Sequence, residues 1–145
     1  MNKQIPAPLI SILADAISSL ETHATLDSLF LYSNAPGEPP EGSKSSKAQT
    51  WLRRINNESD CPISVVGKLI ENYMENPEFQ TEFNEIMFRK VENAAYKYVQ
   101  KIRQCLSNYN FEYRMGGFIF DGASAPSQSL SALIKNRDLP AINAE

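Results

Sequence analysis

A chain of 145 residues with 42% hydrophobic and 10% aromatic content can fold as one domain and bury roughly 70% of its unfolded surface, which excludes a disordered tail. Its net charge of −3 argues against a general nucleic-acid binder, although a local basic patch stays open. Cys61, Cys105 and the single His23 make no metal set, and the two thiols read as free, buried and suited to a reducing cytoplasm.

Residues 6–23, PAPLISILADAISSLETH, open with prolines. Leu9, Ile12, Leu13, Ala16, Ile17 and Leu20 recur at three- and four-residue steps, one face of an amphipathic helix. Asp15 interrupts the apolar run, so the stretch is neither a signal peptide nor a membrane span. TLDSLFLYS predicts a short second helix, with Thr25 as N-cap and Leu26, Leu29 and Phe30 inward. Residues 34–47 are rich in Pro, Gly and Ser and read as a loop. SKAQTWLRRINN then resumes helical spacing with Ala48, Trp51, Leu52 and Ile55 inward. NESDCP is a break, and Pro62 suits the first turn of a helix that buries Ile63, Val66, Leu69, Ile70 and Tyr73.

The longest pattern starts at Asn76 as cap and Pro77 as first helical residue, and runs to about Ser107. Phe79, Phe83, Met87, Val91, Ala94, Tyr98, Ile102 and Cys105 form its stripe. The acidic Glu78, Glu82 and Glu85 lie near its start and the basic Lys97, Lys101 and Arg103 near its end, as the helix dipole favours. This predicts one central helix of about 30 residues and near 45 Å.

NYNFEYRMGGFIFDG alternates instead. It predicts a hairpin with a two-residue Gly116–Gly117 turn, which sets Met115 opposite Phe118 and Tyr113 opposite Phe120. A lone hairpin is marginal in water, so one face must lie on the helices. GASAPSQ is a linker, and SQSLSALIKNR is a short helix with Leu130, Leu133 and Ile134 inward. NRDLPAINAE reads as a helix that begins at an Asp138 cap, with Pro140 in its first turn. A helix begun and broken off within two turns is expected where a chain is the front part of a longer protein.

The fold expected is mainly α, a helical bundle around one long central helix with a small β-hairpin near the C-terminus. Residues 1–121 make a helical N-terminal domain that ends in the hairpin at 109–121. Residues 122–145 are a linker and connector helices toward a C-terminal domain that is not present.

Chemistry is sparse. GEPPEGSKS spaces Gly37 and Gly42 like a phosphate loop, but Lys44–Ser45 come one place late, two prolines remove N–H groups, and Glu38 and Glu41 would repel phosphate. Lys44, Lys47, Arg53 and Arg54, with Lys68 beside them, read either as a basic binding patch or as a solvated helix face. His23 lacks an identifiable nucleophile to serve, and a place at a helix C-terminus suits it better. Glu78, Glu82 and Glu85 would share a helix face, yet a di-metal bundle also needs histidine partners. The aromatic hairpin is either a recognition ribbon or core cover. No catalytic residue, metal ligand or cofactor site is assigned.

The last third resembles a family. LSNYNFEYRMGGFIFDG followed by SLSALIKNRDLPAINAE, with TLDSLFLYSNAPGEPPEGSKSSKAQTWLRRIN upstream, resembles the N-terminal region of bacterial abortive-infection (antiphage defence) proteins that carry an abortive-infection C-terminal domain. The resemblance covers residues 22–145. It implies a non-catalytic sensor, adaptor or regulatory module, with nuclease or toxin activity in the missing C-terminal region. It also implies a protein partner, which would be a phage or host trigger or the chain's own effector domain. Two alternatives stand beside it. One is a nucleic-acid-binding module using Lys44, Lys47, Arg53 and Arg54. The other is a homo-oligomerisation domain using the long helix. No membrane partner is expected.

Overall fold

The computed structural model describes residues 4–80, 82–84, 89–91 and 94–122. In chain order these form α1 (Ala7–Leu20), α2 (His23–Tyr32), α3 (Lys44–Glu58), α4 (Pro62–Glu75), a 3-10 turn at Pro77–Phe79, β1 (Glu82–Asn84), β2 (Arg89–Val91), α5 (Ala94–Asn108), β3 (Phe111–Arg114) and β4 (Phe118–Asp121). The protein is mainly helical, with a two-stranded antiparallel hairpin near the C-terminal end of the described residues. No described helix is long and apolar enough to cross a membrane.

The helix faces follow their sequence patterns. Leu9, Leu13 and Ile17 of α1, Trp51, Leu52 and Ile55 of α3, and Leu69, Ile70 and Tyr73 of α4 are fully buried. Each such side chain contributes about 1.5–3 kcal/mol of transfer free energy. α1 lies against α3 and α5. Asn56 of α3 ties the entry to α1, its Oδ1 accepting from Ile5 N–H at 2.7 Å and its Nδ2 donating to Ile5 C=O at 3.1 Å.

The cap of the second helix lies three residues before the expected one. Thr22 is the N-cap and forms a reciprocal capping box with Thr25. His23 is therefore the first residue of a helix rather than the last. The expected dipole interaction at a helix C-terminus is absent for it.

The central helix is shorter than its stripe. Asn76 caps only the 3-10 turn, accepting from Glu78 N–H at 2.9 Å. Gln80 turns back and donates to the carbonyls of Tyr73 and Met74 at the end of α4. β1 and β2 then pair antiparallel, Phe83 opposite Lys90, and the helix starts at Ala94. The physical reason lies in composition. Residues 76–93 hold three Asn, three Phe, Ile, Thr and Val, weak helix formers and mostly good strand formers. A stripe of apolar residues does not by itself overrule that preference. Glu78 and Glu82 accordingly share no helix face, and Glu85 lies outside the described residues.

Two asparagines end helices in the left-handed region, Asn34 after α2 with φ 67° and Asn110 after α5 with φ 63°. The second aims the chain into β3, and Gly122 N–H donates to Asn110 C=O at 2.7 Å to close the base of the hairpin. The expected helices at 128–137 and 138–145, and the linker before them, fall outside the described residues.

Candidate functional site

The β3–β4 hairpin is one residue out of its expected register. Arg114 pairs with Phe118, Tyr113 with Ile119, Glu112 with Phe120 and Phe111 with Asp121. The turn is thus three residues long, Met115-Gly116-Gly117, with φ 99° and 83° at the two glycines. Because strand side chains alternate, a slip of one residue exchanges the faces of one strand relative to the other. Phe111, Tyr113 and Ile119 pack inward against the core. Phe118 and Phe120 point away from it, 56% and 41% exposed, and Met115 at the tip is 81% exposed.

The cause is a set of anchors on α4. A Cβ on Gly67 would lie 2.2 Å from the carbonyl oxygen of Gly117, so the tip rests directly on the helix backbone. Lys68 Nζ donates to Gly116 C=O at 2.9 Å. Glu75 accepts from Gly116 N–H at 2.7 Å and from the Tyr113 hydroxyl. The same hydroxyl oxygen accepts from Gly117 N–H at 3.1 Å. The bonds from Tyr113 and Gly116 hold the Glu75 carboxyl below its usual range. Burial, then the bond to Glu75, pushes the Tyr113 phenol up.

The outward face continues onto the helices. Lys68 lies over the Phe118 ring at 5.5 Å and 3.8 Å from Glu71. Glu71 accepts from the Tyr32 hydroxyl at 3.0 Å, a bond that raises the pKa of this phenol. Tyr32 and its neighbour Leu31, at the end of α2, are both mostly exposed. On the other side Arg114 stacks over Phe120 at 4.8 Å and pairs with Glu112 at 3.1 Å. The result is an exposed aromatic pair on the hairpin, Phe118 and Phe120, with Glu112 and Arg114 beside it, and a chain of contacts through Lys68 and Glu71 that leads on to Tyr32.

Behind Tyr32 a groove of about 580 Å³ runs between α2 and α4, past Glu21, Glu71 and Glu75. Each of these carboxylates already holds a tyrosine hydroxyl, Glu21 that of Tyr73 at 2.5 Å. Each thus serves as a hydrogen-bond acceptor within the fold. Among the described residues no three His, Cys, Asp or Glu side chains gather as a metal site requires. Cys61 and Cys105 form no disulfide with each other; Cys61 is half-buried where both were expected buried, and burial pushes the Cys105 thiol up, away from the reactive thiolate.

The four basic residues do not share a face. Lys47 is buried, 2.8 Å from Asp27 and 3.2 Å from His23 Nδ1. Lys44 donates to Glu21 C=O at 2.9 Å. Arg54 donates to the carbonyls of Pro36 and Glu38 at 3.0 and 2.7 Å. Arg53 is exposed elsewhere, beside a small cavity lined by Ala7, Ile10 and Ser11. All four thus donate to protein acceptors, Arg53 through a 3.4 Å bond to Gln49 Oε1 on its own helix. The Pro-rich loop likewise offers carbonyls to Arg54 where a phosphate loop would offer N–H groups.

Sequence reasoning missed Gly67, Lys68 and Glu75 as the anchors of the hairpin. Gly67, isolated in the helical stretch VVGKLIENYME, was the available signal, since such a glycine costs about 1 kcal/mol and usually has a packing reason.

No family model, no curated protein and no solved structure matches this chain.

Proposed function

We propose that residues 1–121 form a non-catalytic sensor or regulatory domain of an abortive-infection antiphage protein, acting in the cytoplasm by docking a protein. The contact surface is the outward face of the β3–β4 hairpin with the end of α2. The partner is a folded protein that presents apolar side chains ringed by charges of both signs. A polyanion would meet Glu71 and Glu112 on the same surface as Lys68 and Arg114.

One observation carries the reading. The hairpin turns Met115, Phe118 and Phe120 to solvent while its tip is held to α4 by three polar contacts and braced by a fourth within the hairpin. Exposed apolar patches of this kind mark interaction sites, and a pre-organised one binds without a further ordering cost. The sequence likeness to abortive-infection proteins supplies the biological setting. On this reading, bond-breaking chemistry belongs to an effector domain outside these residues.

The test is phage challenge of a host that expresses the natural gene. Phe118→Ser with Phe120→Ser leaves protein level and melting unchanged and abolishes protection. Full protection by that variant overturns the reading.

A further inference from the structure

We infer that the occupant of the hairpin face is a second copy of the same chain. The inference rests on the protein-docking reading and names the partner.

The outward residues are Glu112 and Arg114 on β3 and Phe118 and Phe120 on β4, with Glu112 opposite Phe120 and Arg114 opposite Phe118. One strand carries the aromatics. The other carries one carboxylate and one guanidinium, two residues apart and joined at 3.1 Å. That pattern is self-complementary. In a two-fold contact residue i meets j and j meets i. When two β3 strands face each other antiparallel, Glu112 stands against Arg114 of the second copy and Arg114 against its Glu112. Both ion pairs form at once, and the Phe118 and Phe120 rings of the two copies cover each other. A partner of single charge, acidic or basic, meets repulsion at one of the two positions.

The area fits a reversible association. Met115, Phe118, Phe120, Tyr32 and Leu31 are all more than two-fifths exposed. At 150–250 Å² per aromatic they offer on the order of 500 Å² of apolar surface. A standard interface takes about 800 Å² per partner, so a reversible dimer is expected rather than an obligate one. The hairpin tip is also already tied to α4 by Lys68 and Glu75, so little ordering is needed to form the contact.

Sedimentation equilibrium of residues 1–145, from micromolar to millimolar concentration, tests this. The wild-type mass climbs toward twice the monomer. Phe118→Ser with Phe120→Ser holds it at the monomer with an unchanged circular dichroism spectrum. Glu112→Arg alone and Arg114→Glu alone each weaken self-association at least tenfold, and the two together restore it, because the exchanged charges still meet their opposites. A wild-type chain that stays monomeric throughout, or a double reversal that fails to restore the dimer, overturns the inference. Loss of phage protection in the Phe118/Phe120 variant of a chain that never dimerises leaves protein docking standing and removes only the second copy.

Discussion

Gly67 and Gly117 meet backbone to backbone. The space for a Cβ on Gly67 is filled by the Gly117 carbonyl oxygen, 2.2 Å away. Alanine would favour the helix by about 1 kcal/mol, yet it must push the hairpin off α4. Gly67→Ala should therefore lose about 1–3 kcal/mol net, the usual cost of overpacking, in a urea titration. Amide exchange should rise at 111–121 and hold in α1 and α3.

Trp51 and Arg54 hold the Pro-rich loop through one acceptor. Trp51 Nε1 and Arg54 Nη1 both donate to Pro36 C=O, at 2.9 and 3.0 Å, and the indole stacks on Phe30 at 4.7 Å. Trp51→Ala should cost about 3–5 kcal/mol as a core truncation. Arg54→Ala should cost less but should speed amide exchange across 35–43. If Arg54→Ala instead leaves the loop unchanged and weakens binding to RNA or DNA, this structural role for Arg54 is wrong.

Lys47 is a buried cation whose partner Asp27 is about a third exposed. Lys47→Ala removes one charge and leaves Asp27 poorly compensated, an expected loss of about 1–3 kcal/mol. Replacing both, Lys47→Met with Asp27→Leu, should be near neutral, since an apolar pair of similar volume often replaces a buried ion pair without loss. Chemical denaturation of the two single variants and the double variant reads the coupling directly.

Acid should loosen the hairpin tip before the helical core. The Glu75 carboxyl titrates lower when folded than when unfolded, through its bonds to Tyr113 and Gly116. Its stabilisation is thus complete above the unfolded value, about 4.5, and is lost as pH falls through the folded one. Tyr73 and Tyr113 shift the other way, through burial and then through their bonds to Glu21 and Glu75. Their share is complete below the unfolded phenol value of about 10 and is lost as pH rises through their folded values. Glu75→Gln should flatten the acid limb of the stability profile and reduce the Tyr113 share of the alkaline limb, while the Tyr73 share stays in place.

The helices that pack on one face were legible. α3 and α4 bury the residues their spacing selects, and α1 buries Leu9, Leu13, Ala16 and Ile17 but leaves Ile12 and Leu20 only partly covered and turns Ile10 and Ala14 inward. The long helix was not legible, since its apolar spacing continued through Phe83 and Val91, where propensity favours strands. The hairpin was found but set one residue out. Gly-Gly is compatible with two- and three-residue turns, and only the contacts of Gly116 and Gly117 with Gly67, Lys68 and Glu75 choose between them. Those contacts join residues some forty to fifty positions apart, beyond the reach of local pattern. The partners of the basic residues were out of reach of local pattern for a related reason. Lys44, Lys47 and Arg54 are close in sequence, but their acceptors lie on α1, α2 and the loop.

The account turns on the strand register that exposes Phe118 and Phe120, and cross-strand Hα–Hα and amide NOEs on the labelled chain measure it directly. The expected contacts join Arg114 to Phe118 and Glu112 to Phe120. Contacts that join Met115 to Phe118 and Tyr113 to Phe120 would restore the two-residue turn, return an aromatic face to the core, and remove the docking surface.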